Sequence, residues 1–204
     1  AEQTATFLAG LFESANPVVA QGDTLNARQM LDLGAARIEE ELAEQPTVQA
    51  NLLTVIGEAY HSLGLYRQAE AHFENALSLL RMPDPGDLEA ESTILLSLAD
   101  IRHSLSDFPG ADSLQRVTLN LLEQLHGEVH PQIAATLLKM ASTQRSLGNY
   151  EEAIPLYKRA VALNEELLPK DDPELAWSIN NLGLAYHSQG QLEEAEEAYA
   201  KAES

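Results

Sequence analysis

The sequence predicts an all-α protein, a solenoid in which antiparallel helix pairs stack into a superhelix. It matches itself without a gap at a constant shift, which brings position 57 onto 99, 99 onto 141 and 141 onto 183. Such self-similarity is the mark of a repeat protein. Within each copy, apolar residues recur at the helical spacings of three and four. No segment alternates apolar and polar residues with β-branched enrichment, so we predict no strands. A single helix pair cannot bury its apolar face, so successive pairs must stack.

Composition excludes several classes of function. The 204 residues include 12 basic and 32 acidic side chains, for a net charge of −20. Such a surface repels phosphate backbones and anionic lipids, so we predict no nucleic-acid partner and no membrane insertion. No apolar run is long enough to span a bilayer. We therefore expect a soluble domain, and the absence of cysteine excludes disulfides and thiolate chemistry.

Four columns of residues carry the 42-residue repeat. Small residues let paired helices approach closely, and larger residues fill the space beside them. Three columns keep their residue class throughout, and the fourth fails only at the C-terminus. The columns are Gly57, Ala99, Ala141 and Gly183; Ala69, Ala111, Ala153 and Ala195; Tyr66, Phe108, Tyr150 and Leu192; and Leu77, Leu119, Val161 and Glu203.

The elements follow in order from these columns. Residues 1–48 are predicted to be a divergent N-terminal cap with a degenerate repeat: a short helix over 3–14, a break at Asn16-Pro17, and a second helix over 24–44. Residues 49–204 hold four units, the last truncated and without a C-terminal cap. Its bare edge leads either to further repeats or to another chain, so self-association through this edge is one expectation.

Turns and links have their own residue types. The first helix of each unit is predicted to stop at a Gly or Ser suited to a tight exit, and prolines separate the units. Pro155 lies deeper in a second helix, where we expect a slight bend or one lost hydrogen bond. The exits are Gly64, Ser106, Gly148 and Gly190, and the linking prolines are Pro46, Pro83, Pro85, Pro131, Pro169 and Pro173.

This pattern resembles the tetratricopeptide repeat. Repeat 50–83 supplies Leu53, Ile56, Gly57, Tyr60, Gly64, Tyr66, Ala69, Phe73 and Ala76, and repeat 176–204 supplies Ile179, Leu182, Gly183, Tyr186, Gly190, Ala195, Tyr199 and Ala202. The middle copies depart from the pattern at Arg102, Gln144 and Gln115. The period and the linkers EVHPQIAATL and KDDPELAWSINNLG resemble the kinesin-light-chain-like subtype. The resemblance implies a right-handed superhelix that binds a peptide or protein segment in its concave groove, as a non-catalytic interaction scaffold.

A second resemblance concerns the N-terminal segment. FLAGLFESANP followed by TLNARQMLDLGAARIEEEL is similar to the segment preceding the repeats in bacterial tetratricopeptide-containing serine/threonine protein kinases. It implies an alternative function, as a regulatory module that acts on a kinase by intramolecular contact or self-association. We expect the domain to be cytoplasmic, or to lie outside the cytoplasm if it is tethered behind the transmembrane helix of a kinase. It has no glycine-rich phosphate loop, His-Arg-Asp or Asp-Phe-Gly element of its own.

No constellation in the sequence predicts catalysis, a metal site or a cofactor. His126 and His130 are four residues apart, but Gly127 and Pro131 place them across a helix end without an acidic third ligand of defined spacing. Paired carboxylates such as Glu151-Glu152 and Glu193-Glu194 lie on predicted outer helix faces, where solvated charge is the simpler interpretation. We therefore predict that the chain is not an enzyme.

The candidate binding surface is the stripe of each first helix that, in tetratricopeptide solenoids, lines the groove. We call it the stripe face, and its members are Asn51, Thr54, Glu58 and His61; Thr93, Leu96, Asp100 and His103; Ala135, Leu138, Ser142 and Arg145; and Trp177, Asn180, Leu184 and His187. Its last members form a basic or basic-capable row, each followed by serine: His61, His103, Arg145 and His187. The predicted partner-binding residues are Asn51, Thr54, Glu58, His61, Asp100, His103, Ser142, Arg145, Trp177, Asn180, Asn181 and His187.

Two interpretations of this face remain open. The row could contact carboxylates or backbone carbonyls of a bound peptide, or its members could simply end their helices, where cations suit the helix dipole. Trp177 could anchor a partner or pack against the helix over 150–168. An acid three residues before His61 and His103 favours the protonated rings, so we predict that ligand affinity changes between mildly acidic and neutral pH.

Overall fold

The computed structural model describes residues 26–81 and 87–203, and within these ranges every regular element is an α-helix. No strand occurs among them, so the all-α prediction is confirmed. The helices are α1 (Ala27–Glu41), α2 (Pro46–Ser62), α3 (Tyr66–Leu80), α4 (Leu88–Ser104), α5 (Phe108–His126), α6 (Pro131–Ser146), α7 (Tyr150–Leu167), α8 (Pro173–Gln189) and α9 (Leu192–Ala202).

Helix spacing follows the period of the sequence. The second helices of the pairs begin at Tyr66, Phe108, Tyr150 and Leu192, each one full repeat length after the one before. Pro155 lies inside α7, which runs unbroken from Tyr150 to Leu167. Proline has no N–H, so the helix loses one hydrogen bond there without ending.

Local signals explain where helices begin and end. Prolines occupy the first turns of α2, α6 and α8, where a missing N–H costs nothing. The Asp172 carboxylate accepts the Glu174 N–H at 2.8 Å and caps α8. All four predicted exits have a positive φ: Gly64 at 71°, Ser106 at 63°, Gly148 at 79° and Gly190 at 85°. The exit prediction is confirmed.

The chain divides into two compact units, residues 1–101 and 102–204, and the boundary falls within α4. In the first unit, α1 packs on α2 and α2 packs on α3. Ile38, Leu53 and Phe73 are buried between these helices. The Tyr60 hydroxyl donates to the Asp32 carboxylate at 2.5 Å, which joins α2 to α1.

In the second unit, each helix from α5 to α9 packs on the next along the chain. One continuous core runs from Leu122 to Ala198. Ala111, Ala153 and Ala195 are almost fully buried, as the small-residue columns predict. This unit is therefore a stack of consecutive helices around a single apolar core.

Some predictions fall outside the described residues. The cap helix over 3–14, Pro83 and Pro85 belong to this group, and so does Ser204 at the C-terminal edge. The division at residue 48 stays a prediction, although α1 occupies 27–41 within the segment 24–44. None of the helices in the described ranges is both long and apolar enough to cross a bilayer.

Candidate protein-binding face

The stripe face of α8 is open to solvent. Trp177 is 56 % exposed and Leu184 is 37 % exposed, and Asn180 and His187 are exposed as well. Trp177 therefore does not pack away against the preceding helix. The Asn181 amide donates to the Trp177 carbonyl at 3.0 Å, so this side chain is bonded to its own helix.

The equivalent stripe of α6 is more enclosed. Ser142 and Arg145 are half-buried, whereas Leu138 is only 4 % exposed and belongs to the core. The stripe of α6 is thus narrower than the sequence suggested. The Arg145 Nε is buried and has no hydrogen-bond partner. A buried donor without an acceptor is costly, so a ligand oxygen that reached this atom after a shift of the half-buried Arg145 side chain would be stabilising.

Two members of the row pack against the start of the next helix. The His61 ring lies 5.6 Å from the Tyr66 ring, and the His103 ring meets Phe108 edge-on at 5.1 Å. Each aromatic residue stands five positions after its histidine. Position 192 holds a leucine, and His187 is exposed. The members of the row therefore have different surroundings. His61 and His103 contact an aromatic residue just beyond the turn between paired helices, whereas His187 is exposed.

The serines that follow the row are bonded within their helices. Ser62 Oγ donates to the Glu58 carbonyl at 2.9 Å, and Ser188 Oγ donates to the Leu184 carbonyl at 2.8 Å. Ser146 Oγ donates to its own helix in the same way and also lies 3.5 Å from His103 Nε2. This pattern favours the helix-ending interpretation for the serines.

The first unit holds its own part of the predicted face. Asn51 and Glu58 are exposed and Asp100 is half-buried. Thr54 Oγ1 donates to the Ala50 carbonyl at 2.9 Å, along its own helix. These side chains are accessible, and the pH dependence of ligand affinity stays a prediction.

Charge is segregated between the helices of the second unit. The first helices α6 and α8 carry a single acidic residue, Glu174. The second helices α7 and α9 each carry four glutamates. A chain of net charge −20 therefore keeps most of this unit's negative charge off the helices that form the stripe face.

The linker histidines lie across the end of α5, and their rings are in contact. His126 and His130 stack with ring centroids 3.9 Å apart and an interplanar angle of 11°. They come together because Gly127, at a φ of 78°, redirects the chain after α5. Parallel rings do not aim their nitrogens at a common point. In the part of the chain that the structure describes, no group of three or more metal-ligating side chains occurs.

The sequence analysis did not predict the polar side-chain pairs that form where two repeats lack the tyrosine found at position 60. Gln144 stands at this position and is 2 % exposed. Its amide donates to the Asp112 carboxylate at 2.7 Å and accepts from Asn149 at 3.0 Å. Arg102, at the same position one repeat earlier, donates to the Asp107 carboxylate at 3.1 Å. A search for acids on the helix that precedes each of the repeat positions 60, 102, 144 and 186 could have found Asp32 and Asp112.

Protein-family models match most of this sequence. Models described as the tetratricopeptide repeat match residues 90–166, 133–204 and 50–79. The chain belongs to the tetratricopeptide repeat family. This confirms the resemblance on which the groove prediction depends, and it supports a protein-interaction scaffold as the class of function.

Solved structures share the fold at low sequence identity. BtubC (BKLC) from P. vanneervenii is 21 % identical with a TM-score of 0.78, over 99 % of this chain and 89 % of that one. A protein of Podospora anserina, described as a kinesin light chain with nearly identical TPR-like repeats, is 18 % identical with a TM-score of 0.75, over 98 % and 93 %. A Rap protein in complex with Competence and Sporulation Factor is 21 % identical with a TM-score of 0.65, over 85 % and 47 %.

These likenesses confirm the tetratricopeptide repeat fold that the sequence predicts. The search of curated proteins finds no match to the sequence. None of the three structures is described as a protein kinase, so the kinase resemblance stays a prediction.

Proposed function

We propose that this tetratricopeptide repeat protein is an interaction scaffold whose second unit binds a peptide or protein segment along the stripe face of α6 and α8. The observation that carries the proposal is the buried, unpartnered Arg145 Nε, at a position equivalent to the exposed His187. Trp177 and Leu184 supply exposed apolar surface on the same helix face.

The chemistry of the face defines the ligand. Trp177 is exposed enough to anchor an apolar side chain, and tryptophan is enriched at interface hot spots. Arg145 offers a donor to a carboxylate or a backbone carbonyl. Helices α6 and α8 carry a single acidic side chain. This favours a ligand that brings oxygen acceptors to the surface, because few carboxylates repel it. The expected partner segment therefore combines an apolar anchor with hydrogen-bond acceptor groups.

The comparisons support binding of this kind without identifying a partner. The Rap protein of similar fold has been solved in complex with Competence and Sporulation Factor. Two more specific functions are alternatives for the present chain: regulation of a kinase, and self-association through the C-terminal edge. Both are supported by the sequence alone.

The experiment is a selection of binding peptides from a random library, followed by calorimetry on the full chain. We expect Trp177→Ala and Arg145→Glu each to raise the dissociation constant of the selected peptides roughly ten-fold or more, which is about 1.4 kcal/mol of binding free energy. Leu192→Ala is the matched control for Trp177, because Leu192 is exposed to almost the same degree at 57 %. Lys170→Glu is the charge control. Peptides that bind both pairs of variants equally well would contradict the proposal.

A further inference from the structure

The linker between α5 and α6 holds two histidines in one stacked pair. His126 ends α5, His130 directly precedes α6, and both side chains are half-buried. The ring centroids lie 3.9 Å apart. An imidazole ring changes charge between about pH 5 and pH 8, and two positive rings at this distance repel each other. The stacked arrangement therefore accommodates one proton but not two.

His130 is also the N-cap of α6. Its Nδ1 accepts the backbone N–H of Gln132 at 3.4 Å. Only an unprotonated Nδ1 can accept this bond. A charged His130 ring loses the bond and places a positive charge at the N-terminus of a helix, where the helix dipole opposes it. Proton uptake by His130 therefore destabilises the first turn of α6.

The surroundings of His126 favour a positive charge more than those of His130 do. His126 lies in the last turn of α5, where the helix dipole favours a cation. Glu123, three residues earlier on the same helix, also favours it, although Arg159 of α7 binds this carboxylate at 2.6 Å. Glu128 is exposed between the two histidines, and the first turn of α6 has no acidic residue. The first proton is therefore held at His126, and the second must charge the N-cap.

The equivalent linker one repeat later has a cap that keeps its charge in this pH range. Asp172 occupies the position of His130, and its carboxylate accepts the Glu174 N–H at 2.8 Å. An aspartate carboxylate stays charged down to about pH 4, and negative charge suits a helix N-terminus. Leu168 occupies the position of His126 and carries no charge. The linker between α7 and α8 is therefore an internal control for the histidine pair.

We propose that the His126–His130 pair makes the α5–α6 linker an acid-sensitive joint between successive repeats. At neutral pH the rings stack and His130 caps α6. At a pH below about 6.5, a second proton from solvent binds the His130 Nδ1. The rings then separate, the bond from the Gln132 N–H is lost and the first turn of α6 unwinds. Because α6 packs on α5, this change loosens the contact between two neighbouring repeats.

The test is an NMR titration of the full chain from about pH 8 to about pH 5. Proton–nitrogen correlation spectra report the protonation of each ring nitrogen and the position of each backbone amide proton. At the acid end we expect a protonated His130 Nδ1, an upfield shift of the Gln132 backbone amide proton and a loss of helical Cα shifts over 131–134. The Glu174 backbone amide proton should not move. A Gln132 amide proton that stays in place, or that moves only as much as that of Glu174, would overturn the proposal.

Two variants separate the cap from the pair. His130→Asp installs the cap of the next repeat and should hold the Gln132 amide proton in place throughout the titration. His126→Leu copies Leu168, which removes the neighbouring charge and keeps the cap. Its Gln132 shift should occur at a higher pH than in the parent, because no positive ring opposes proton uptake by His130. His187→Ala, at an exposed histidine of α8, should titrate as the parent does. An unchanged Gln132 shift in His130→Asp, or a His126→Leu midpoint at or below that of the parent, would refute the assignment.

Discussion

Ser106 occupies a backbone conformation that three glycines occupy in the other repeats. Its φ is 63°, and among the described residues it is the one non-glycine residue with a positive φ. A side chain in this region is strained by contact with its own backbone. The turn that ends the first helix of this repeat therefore has a higher conformational free energy than the equivalent turns with glycine.

Replacing Ser106 with glycine should relieve that strain. We expect Ser106→Gly to raise the free energy of unfolding by roughly 0.5–1 kcal/mol, after allowance for the larger entropy of glycine in the unfolded chain. Gly148→Ser is the reverse control and should destabilise by a similar amount, since a Cβ at Gly148 would meet no neighbour within 4 Å. Urea titration measures both, and a destabilised Ser106→Gly would contradict the argument.

His72 makes the first unit sensitive to acid. Burial lowers the pKa of His72 because the charged ring loses solvation, against a smaller opposing effect of the Glu39 and Asp32 carboxylates. The ring stacks on Tyr60 at 5.2 Å. The unfolded chain therefore binds a proton at a higher pH than the folded chain does, and stability falls as pH decreases below about 6.5.

Hydrogen exchange of the α2 and α3 amides can test this dependence. We expect these amides to lose protection between neutral pH and about pH 5.5 beyond the intrinsic change in exchange rate. His72→Phe should remove the loss, whereas His187→Phe, at an exposed position, should leave it unchanged. Equal pH dependence in the parent and His72→Phe would show that another group is responsible.

At the scale of the element, a second helix packs closely on the glycine of its partner in the first and the last repeat. A Cβ built on Gly57 would lie 3.0 Å from Phe73 Cζ, and one built on Gly183 would lie 2.7 Å from Tyr199 Cε1. Contacts under 3.0 Å require a neighbour to move. The small-residue column thus controls the distance between paired helices, as the sequence predicts.

Gly183→Ala should therefore overpack the α8–α9 pair. We expect a loss of roughly 1–3 kcal/mol in the free energy of unfolding, measured by chemical denaturation with Trp177 fluorescence. The double variant Gly183→Ala, Tyr199→Leu should recover part of the loss, because the ring that blocks the methyl group is gone. If the single variant is as stable as the parent, the pair must be more loosely packed than the structure indicates.

At the scale of the molecule, the second helices of the second unit are joined by ion pairs between successive repeats. They are Arg116–Glu152 at 3.0 Å, Arg159–Glu123 at 2.6 Å and Lys201–Glu165 at 2.6 Å. All are substantially exposed, and such pairs contribute little individually. The excess of 20 negative charges is the larger electrostatic effect, since it acts against the compact state.

Salt should therefore stabilise this protein. Raising the ionic strength from about 0.01 M to about 0.15 M shortens the screening length from about 30 Å to about 8 Å. We expect the Tm to rise over this range, because screening of the general repulsion outweighs the weakened ion pairs. Sodium and potassium chloride should act equally, as a screening effect requires. A falling Tm would mean that the ion pairs dominate.

The repeat, its period and its helix exits were determined by the sequence alone, because small residues, glycines and prolines act through local geometry that recurs in every copy. Position 106 was placed correctly even though it holds a serine. The same holds for the family, since its defining columns are those packing positions. Stripe residues on α8 were also predictable, because helical spacing assigns a face to each side chain.

Only the tertiary structure decided which of those side chains are available to a partner. Trp177 is exposed and Leu138 is buried at positions of one predicted stripe, and the Arg145 Nε lacks an acceptor. The pairing of Gln144 with Asp112 depends on helices that are distant along the chain. Exposure and long-range hydrogen bonding are properties of packed neighbours, so no pattern within a single helix could reveal them.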